Sequence, residues 1–321
     1  MRAYRIHGFD GSAGLEVIDR PAPAAGEVLL RIAACGLNFA DLLMLKGQYQ
    51  ERPDPPFTLG MEVAGTIEAL GDGVSGLAPG DRVAVFAGQG GLAEWGVFPA
   101  SRCLLLPDAM PFDHAAAFMI AYGTSHLALG YRARLQPGET LLVTGAAGGV
   151  GLTAVEIGKA MGARVVAVAR GADKLAVAQS AGADHLIDSD TQDLRKEVKA
   201  LGGADVVCDT VGGDMFMAAL RASNPEARLI PIGFAGGAVP HIPANLLLVK
   251  NLTVIGLYWG GYMGFCPDRL RGSLVDLLAM YVAGKLRPHV GATLPLDQVD
   301  TALDLLRNRK STGKVVITMT A

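Results

Sequence analysis

An apolar strand that runs into a glycine-rich turn and then into a helix constrains this chain more than any other feature. The predicted strand ends at Thr144, the turn spans 145–151, and the residues up to Gly162 have a helical pattern. A helix N-terminus offers unpaired N–H groups and a positive dipole end to an anion, and glycine leaves room for a phosphate to approach. A second strand, predicted over 164–169, completes a βαβ unit. The pattern therefore predicts a nucleotide-binding turn.

The register of this turn matches the dinucleotide fingerprint G-x-G-x-x-G with one departure. Ala146, Gly148 and Gly151 occupy the three key positions, and alanine at the first is small enough for a tight turn. Gly149 and Val150 complete the predicted phosphate-binding stretch. The sequence thus predicts a dinucleotide cofactor.

The end of the second strand carries positive charge where NAD-binding sites usually place a carboxylate for the ribose 2′-hydroxyl. Arg170 follows the strand and Lys174 lies one helical turn further on, whereas Asp173 is expected to cap the next helix. Guanidinium and ammonium groups attract a 2′-phosphate, which a carboxylate repels. This placement favours NADPH over NADH. The alternative is that Arg170 and Lys174 are ordinary solvated charges.

The chain shows two different patterns of predicted secondary structure, which indicate two domains. Strands and helices alternate from Glu139 to about Gly233, with a sixth strand at Leu252–Leu257, which predicts a doubly wound parallel sheet. The first hundred residues instead show short strands between turns, as in an antiparallel barrel. The expected fold is α/β, with a nucleotide-binding domain inserted in a barrel domain. The predicted boundaries are 1–124 for the barrel, 125–260 for the insertion and 261–321 for the return.

Composition limits the classes of partner. The chain has 321 residues, half of them hydrophobic and 18% charged, with a net charge of -3, so neither nucleic acid nor a membrane is an expected partner. The N-terminal residues lack the apolar core of a secretory signal. The four cysteines lie far apart and form no C-x-x-C pair, which fits a reducing cytoplasm better than a disulfide framework.

Several segments resemble the medium-chain dehydrogenase/reductase superfamily, and the resemblance covers essentially the whole chain. They are Gly-Glu-Val-Leu at 26–29, Gly-Met-Glu-Val-Ala-Gly at 60–65 and Pro-Gly-Asp-Arg-Val at 79–83. The stretch 34–43 is most similar to the zinc-independent NADPH:quinone oxidoreductases, the zeta-crystallin-like branch. The resemblance implies a GroES-like catalytic barrel, a Rossmann domain, NADPH as cofactor and a homodimer formed around Leu252–Leu257.

The resemblance also bears on zinc. Where related alcohol dehydrogenases carry Cys, His and Cys as catalytic ligands, this chain has Asn38, Met61 and Ile120. Cys35 lies nearby but is offset from the ligand position, and it is expected to pack as a small hydrophobic residue. No metal is therefore expected. Without a Lewis acid, the favoured acceptors are quinones and α,β-unsaturated carbonyls, which take up hydride readily.

The same resemblance implies three catalytic candidates in the barrel domain: Asn38, Asp41 and Tyr49. Tyr49 would donate a proton to an enolate or quinone oxygen, and Asn38 would orient the nicotinamide or the acceptor. Alternatively, Tyr49 is a half-buried aromatic anchor, and Asp41 is a helix cap or a salt-bridge residue.

Further cofactor contacts are implied by resemblance. Thr124 would reach the nicotinamide carboxamide or a phosphate, and Ser189 would join Arg170 and Lys174 around the 2′-phosphate. Three residues after the fifth strand would border the nicotinamide ribose: Gly233, Phe234 and Ala235. Gly233 could instead serve a tight turn and Phe234 the core.

Three functions remain open at this point. The leading hypothesis is an NADPH-dependent quinone reductase acting on a small molecule. A second is an enone or enoyl-thioester (CoA) reductase of the same superfamily, because the motifs overlap. A third is an NADPH-binding structural or trafficking protein with little catalysis, since a fold alone does not establish an activity.

Overall fold

The computed structural model describes residues 1–319 and divides the chain into two compact units. The first unit contains residues 1–120 and the residues from Pro288 onward, and the second contains the intervening Ala121–Arg287. In sequence, the second unit is therefore an insertion in the first.

The helices and strands follow one another in chain order. Those that begin within the first 120 residues are β1 (Arg2–Ile6), β2 (Ala13–Val17), β3 (Glu27–Leu37), α1 (Phe39–Met44), β4 (Phe57–Thr58), β5 (Glu62–Leu70), β6 (Arg82–Phe86), β7 (Trp95–Pro99), β8 (Cys103–Leu105), α2 (Phe112–Ala116) and α3 (Met119–His126). Those that follow as far as residue 282 are a π-helix (Leu127–Arg132), β9 (Thr140–Thr144), α4 (Gly149–Ala160), β10 (Arg164–Ala169), α5 (Ala172–Ser180), β11 (His185–Asp188), α6 (Leu194–Ala200), β12 (Ala204–Asp209), α7 (Gly213–Ala222), β13 (Ser223–Pro231), α8 (Ala244–Lys250), β14 (Thr253–Val254), α9 (Tyr262–Phe265) and α10 (Pro267–Val282). The chain ends with β15 (Val290–Pro295), α11 (Val299–Arg307) and β16 (Lys314–Thr318).

The first unit is built on a mainly antiparallel sheet. Its order is β15-β16-β3-β5-β6-β8, with β7 also paired to β3, and a smaller sheet has the order β2-β1-β4. Strand β3 is central because it pairs with β5, β7 and β16. Register shifts after Leu29 and Ile32 interrupt its ladder with β5, and such bulges bend a strand. The predicted antiparallel character is confirmed, except that β15 and β16 run parallel.

The second unit is built on a parallel sheet in the order β11-β10-β9-β12-β13-β14, as the predicted doubly wound fold requires. The bounds of β9 and β10 are those predicted. The strand order reverses between β9 and β12, so the carboxyl ends of these two strands flank a topological switch point. One side of the sheet packs on a core that includes Leu142, Val207 and Phe216, all fully buried.

Three differences from the predicted elements have local causes. Helix α6 begins at Leu194 rather than Thr191, because the Asp193 side chain accepts a hydrogen bond from the N–H of Lys196 and caps the helix there. The predicted sixth strand is reduced to Thr253–Val254, which pairs on β13. The segment 261–287, expected in the returning barrel, lies in the second unit.

Contacts of α10 explain this last difference. The helix buries Leu270, Leu274 and Leu277, and Ser273 Oγ lies 2.8 Å from His126 Nδ1 of α3. After the helix, the N–H of Arg287 donates to a carboxylate oxygen of Glu156 on α4. These partners belong to the second unit and hold the segment there.

The helices of the described chain, residues 1–319, include none with the length and apolar character needed to cross a membrane.

Candidate active site

The glycine turn of the second unit leaves backbone N–H groups open at the start of α4. Gly148 is the N-cap residue and is exposed, and no side chain caps the helix. Gly149 and Val150 follow in the first turn and are partly exposed. Because the first N–H groups of a helix have no partner within it, they can bind a phosphate. The predicted phosphate-binding stretch therefore lies at an uncapped helix N-terminus.

The outer positions of the fingerprint are buried and serve packing. The N–H of Ala146 donates to the carbonyl of Val168 on the neighbouring β10, which holds the turn against the sheet. A Cβ on Gly151 would lie 2.2 Å from the carbonyl oxygen of Gly145, so any side chain there would push the helix away from the strand. These two positions shape the turn. The N–H of Gly148 donates to the carbonyl of Gly145 at 3.0 Å, so the N–H groups left for a ligand are those of Gly149 and Val150 in the first turn of α4.

A buried polar network holds the switch point beside the turn. Thr144 Oγ1 donates to Asp209 Oδ1 at 2.5 Å, and it accepts from the N–H of Thr210 at 3.2 Å. The other Asp209 oxygen accepts from the N–H of Gly212 at 2.8 Å. Burial raises the pKa of the Asp209 carboxyl. The network joins the carboxyl ends of β9 and β12.

The predicted 2′-phosphate residues lie at the ends of β10 and β11. Arg170 is exposed directly after β10, and the N–H of Ser189 donates to the carbonyl of Ala169 at 3.0 Å. The sequence analysis missed an acidic neighbour, since Arg170 Nε lies 3.1 Å from Asp190 Oδ1. Both side chains of this pair are more than half exposed, so the pair adds little stability.

A second carboxylate fixes the loop after β10. Asp188 Oδ1 accepts from the N–H groups of Gly171 and Asp190, and these hydrogen bonds lower the pKa of the carboxyl. Lys174 lies in the first turn of α5 and is partly buried. Arg170 therefore lies close to two carboxylates, those of Asp188 and Asp190, and the spacing of these residues along the chain does not predict this proximity.

The remaining predicted cofactor residues lie at other points of the second unit. Gly233, Phe234 and Ala235 follow β13, and the N–H of Ala235 donates to the carbonyl of Thr210 after β12. The loop thus lies beside the switch point, with Phe234 exposed. Thr124 is buried on α3.

Helix α3 is held against the start of α4 by two hydroxyl residues that sequence reasoning missed. Ser125 Oγ lies 2.7 Å from Thr153 Oγ1 and donates to the carbonyl of Val150 at 3.0 Å. These contacts place the helix that carries Thr124 next to the phosphate-binding turn.

The first unit brings Asn38 next to a buried lysine. Strand β16 runs antiparallel to β3 with Val315 opposite Leu37, so Lys314 lies beside Asn38. Lys314 Nζ donates to Asn38 Oδ1 at 2.6 Å, and the lysine is only 5% exposed. A lysine this deeply buried requires a charged partner.

That partner is Glu62, which is fully buried on β5. Its Oε1 accepts from Lys314 Nζ at 2.6 Å and from Asn38 Nδ2 at 2.9 Å. Its Oε2 accepts from the N–H of Ile120 in the first turn of α3 at 2.9 Å. The Glu62 carboxylate thus accepts hydrogen bonds from an amide, an ammonium group and the N-terminus of a helix. We refer to Asn38, Glu62 and Lys314 as the buried triad.

Asp41 lies next to the buried triad and is also fully buried. Its Oδ2 accepts from the N–H of Asn38 at 2.8 Å, which caps the first turn of α1. Burial raises the pKa of the carboxyl to about 7, against the lowering effect of the Asn38 N–H and of Lys314. Asp41 therefore caps α1, and its catalytic role stays a prediction.

Tyr49, the third catalytic candidate, follows α1 in a bend and is half-buried. The structure thus gathers Asn38 and Asp41 at the start of α1, with Tyr49 after its end.

The side chains at the zinc-ligand positions do not fit zinc. Asn38 and Ile120 both contact Glu62, and Met61 precedes it, but an amide, an alkyl group and a thioether are poor zinc ligands. Within residues 1–319, no group of three or more His, Cys, Asp or Glu side chains could hold a metal. Cys35 is fully buried, and burial raises the pKa of its thiol, which disfavours the thiolate that binds metals.

Comparisons with known proteins agree with this geometry. Residues 24–108 match the alcohol dehydrogenase GroES-like domain, and residues 149–279 match the family described as zinc-binding dehydrogenase. The chain is 42% identical over 297 residues to the quinone oxidoreductase-like protein 2 homolog of Nematostella vectensis, covering 91% of this chain and 81% of the relative. It is 33% identical over 339 aligned positions to the human synaptic vesicle membrane protein VAT-1 homolog, covering 99% and 86%.

A solved structure extends the similarity. The Thermus thermophilus quinone oxidoreductase, which was also determined in complex with NADPH, superposes with a TM-score of 0.88 at 35% identity. The match covers 99% of this chain and 100% of that protein. The chain belongs to the zinc-independent quinone oxidoreductase branch of the medium-chain dehydrogenase/reductase superfamily.

The raised pKa of Asp41 predicts a pH-dependent stability. Between its ordinary value near 3.8 and about 7, the native state holds a proton that the unfolded state releases. The free energy of unfolding should therefore fall as pH rises through this window, by up to about 1.4 kcal/mol per pH unit. Asp41→Asn, which keeps an acceptor for the Asn38 N–H, should flatten this part of the curve. Urea unfolding of both proteins from pH 4 to 8 checks it, and parallel curves would contradict the assignment.

Proposed function

We propose that this protein is an NADPH-dependent oxidoreductase that transfers hydride to a quinone without a metal. The observation that carries the proposal is the uncapped glycine turn at the switch point of a parallel sheet. A quinone oxidoreductase of the same branch was solved with NADPH, which supports the same cofactor here. The poor zinc donors at 38, 61 and 120 favour an acceptor that needs no Lewis acid.

The second unit supplies the residues that would hold NADPH. Backbone N–H groups at 149–150 would bind the pyrophosphate, with the exposed Gly148 leaving room for it, and Arg170, Lys174 and Ser189 would surround the 2′-phosphate. Thr124 and the loop 233–235 would bind the nicotinamide end. Bound NADPH supplies a hydride, and these residues fix its position.

The first unit supplies the groups that would act on the acceptor. Hydride uptake by a quinone leaves negative charge on an oxygen, which a hydrogen-bond donor stabilises and a proton neutralises. Tyr49 would donate that proton, directly or through water, to give the hydroquinone. Asn38 would orient the reacting groups. Asp41 would support Asn38 through its backbone rather than touch the acceptor.

Two observations support the alternatives to quinone reduction, which are reduction of an enone or enoyl thioester and cofactor binding with little catalysis. An enone or enoyl-thioester acceptor also develops an oxyanion after hydride uptake, so the same donors would serve it. The similarity to a protein named synaptic vesicle membrane protein VAT-1 homolog supports, as a second candidate, a cofactor-binding protein with little catalysis.

A panel of acceptors separates these functions. NADPH oxidation is measured with a 1,4-quinone, a simple enone and an enoyl-CoA at equal concentrations, and kcat/KM is compared. We expect the quinone to rank first. A higher kcat/KM for the enone or the enoyl-CoA would establish the reductase alternative. NADPH binding without turnover of any acceptor would support the non-catalytic candidate.

Cofactor preference tests the charges at the end of β10. Replacing both Arg170 and Lys174 with alanine should weaken NADPH binding about tenfold or more, because each contact to the 2′-phosphate contributes about 1–3 kcal/mol. NADH lacks this phosphate and should bind almost unchanged. Fluorescence titration of both cofactors measures the two Kd values. Equal weakening of both would mean that these residues do not bind the phosphate.

A substitution of Asp190 provides a control in which NADPH affinity is expected to rise rather than fall. Its carboxylate pairs with Arg170, so it competes with a 2′-phosphate and repels it. Asp190→Asn should therefore tighten NADPH binding while NADH stays unchanged. A loss of NADPH affinity would show that Asp190 supports the phosphate site instead.

We also propose a homodimer in the cytoplasm. Strand β14 is the edge of the parallel sheet, and the neighbouring Leu248 and Val249 on α8 are 77% and 71% exposed. An open edge beside apolar side chains favours pairing with a second copy. All four cysteines are free thiols, which suits a reducing compartment. Sedimentation at micromolar concentration should give twice the chain mass, and a monomer would contradict the pairing.

A further inference from the structure

The carboxamide of Asn38 lies between a buried cation and a buried anion. Its Oδ1 accepts from Lys314 Nζ at 2.6 Å, and its Nδ2 donates to Glu62 Oε1 at 2.9 Å. A flip of the amide would turn its NH2 group toward the ammonium and its oxygen toward the carboxylate. Both hydrogen bonds would then be lost, and like partial charges would face one another. Opposite charges therefore fix one orientation of this side chain.

This orientation decides what Asn38 can offer to a ligand. Its oxygen is bound to Lys314, and one of its two N–H groups is bound to Glu62. The second N–H donates to the carbonyl of Gly36 in a long hydrogen bond, with Nδ2 3.4 Å from the oxygen, and a ligand oxygen at a shorter distance can replace this acceptor. The residue is partly exposed. The group that remains available is thus a donor.

We propose that Glu62 and Lys314 are positioning residues that hold Asn38 as a hydrogen-bond donor for a carbonyl oxygen of the bound ligand. The inference rests on the proposed function, which supplies that oxygen either on the hydride acceptor or on the nicotinamide carboxamide. The ammonium on Oδ1 also draws electron density from the amide, so the remaining N–H becomes a stronger donor.

Stability alone does not account for the two buried charges. Replacing a buried ion pair by apolar side chains of similar size is often neutral or stabilising. Glu62 and Lys314 lie on strands that are far apart in sequence, and both meet at Asn38. An apolar pair would pack there as well, but it would leave the amide free to turn. The two charges therefore fix the orientation of the Asn38 amide.

The test uses variants of the full chain that do not leave one charge buried alone. Glu62→Gln combined with Lys314→Met removes both charges, and the introduced carboxamide keeps an acceptor for the Ile120 N–H. A matched control, Glu139→Gln with Arg228→Met, removes a partly buried pair in the second unit. Both are assayed well below their measured unfolding temperatures. Asn38→Ala serves to assign the resonances.

The first readout is the Asn38 side chain itself. The chain has five asparagines, so selective ¹⁵N-asparagine labelling gives a short set of side-chain amide signals, of which Asn38→Ala removes one pair. In the double variant this pair should shift or broaden, and in the control variant it should stay. An unchanged Asn38 pair in the folded double variant would overturn the proposal. This readout does not depend on turnover, so it stands even if quinone reduction fails.

The second readout separates the two sources of the oxygen. If it belongs to the acceptor, the double variant should lose about tenfold or more in kcat, because the donor acts on the developing charge, while the Kd for NADPH changes less than about threefold. If it belongs to the nicotinamide, the Kd for NADPH should rise about tenfold with kcat retained at saturating cofactor. Unchanged kcat and Kd would overturn the positioning role, as would equal losses in the control variant.

Discussion

The fully buried carboxylate of Glu62 is the interaction on which the first unit depends. Burying a lone carboxylate costs several kcal/mol, and here three donors offset that cost: Lys314, Asn38 and the N–H of Ile120. These donors come from the last strand, the start of α1 and the start of α3. The approach is close, since a Cβ on Gly36, opposite Glu62, would lie 2.0 Å from the carbonyl oxygen of Ala116. Glycine at this position lets the elements meet at one charge.

The second unit uses the same principle at its own switch point. Asp209 is fully buried, and it takes donors from Thr144 on the neighbouring strand and from Gly212 in the following turn. In each unit, a buried carboxylate joins segments that are distant in sequence, and residues of the predicted site lie next to it. Rigid support of this kind holds a binding geometry better than mobile loops do.

The fold could be predicted because its signals are local. The glycine turn, the alternation of strands and helices and the lack of helical crossovers before residue 100 are all periodic or short-range patterns. The buried triad could not be predicted in this way. Glu62 and Lys314 are 252 residues apart, and only the strand register brings them together. A charged residue beside an apolar run indicates a buried charge, and both residues show this pattern. The spacing along the chain does not identify the residue that pairs with such a charge.

The acidic neighbour of Arg170 was missed for the same reason. Parallel pairing sets Ala169 of β10 opposite Asp188 of β11, and this register carries Asp190 to the arginine. The predicted cation therefore has a counter-ion that the sequence pattern does not reveal, and its role at a phosphate stays a prediction. The region from Leu252 to Leu257 shows another limit, since β propensity alone does not say how far an edge strand stays paired.

The two groups of charges differ in how solvent reaches them. Arg170 and Asp190 are more than half exposed, so dissolved salt screens both their mutual attraction and any attraction to a phosphate. Glu62 and Lys314 are shielded from water, so ionic strength hardly affects the field they impose on Asn38. Binding of a phosphorylated cofactor would then vary with salt, while the orientation of the amide donor would not. The buried pair therefore supports Asn38 with charges that dissolved salt hardly screens.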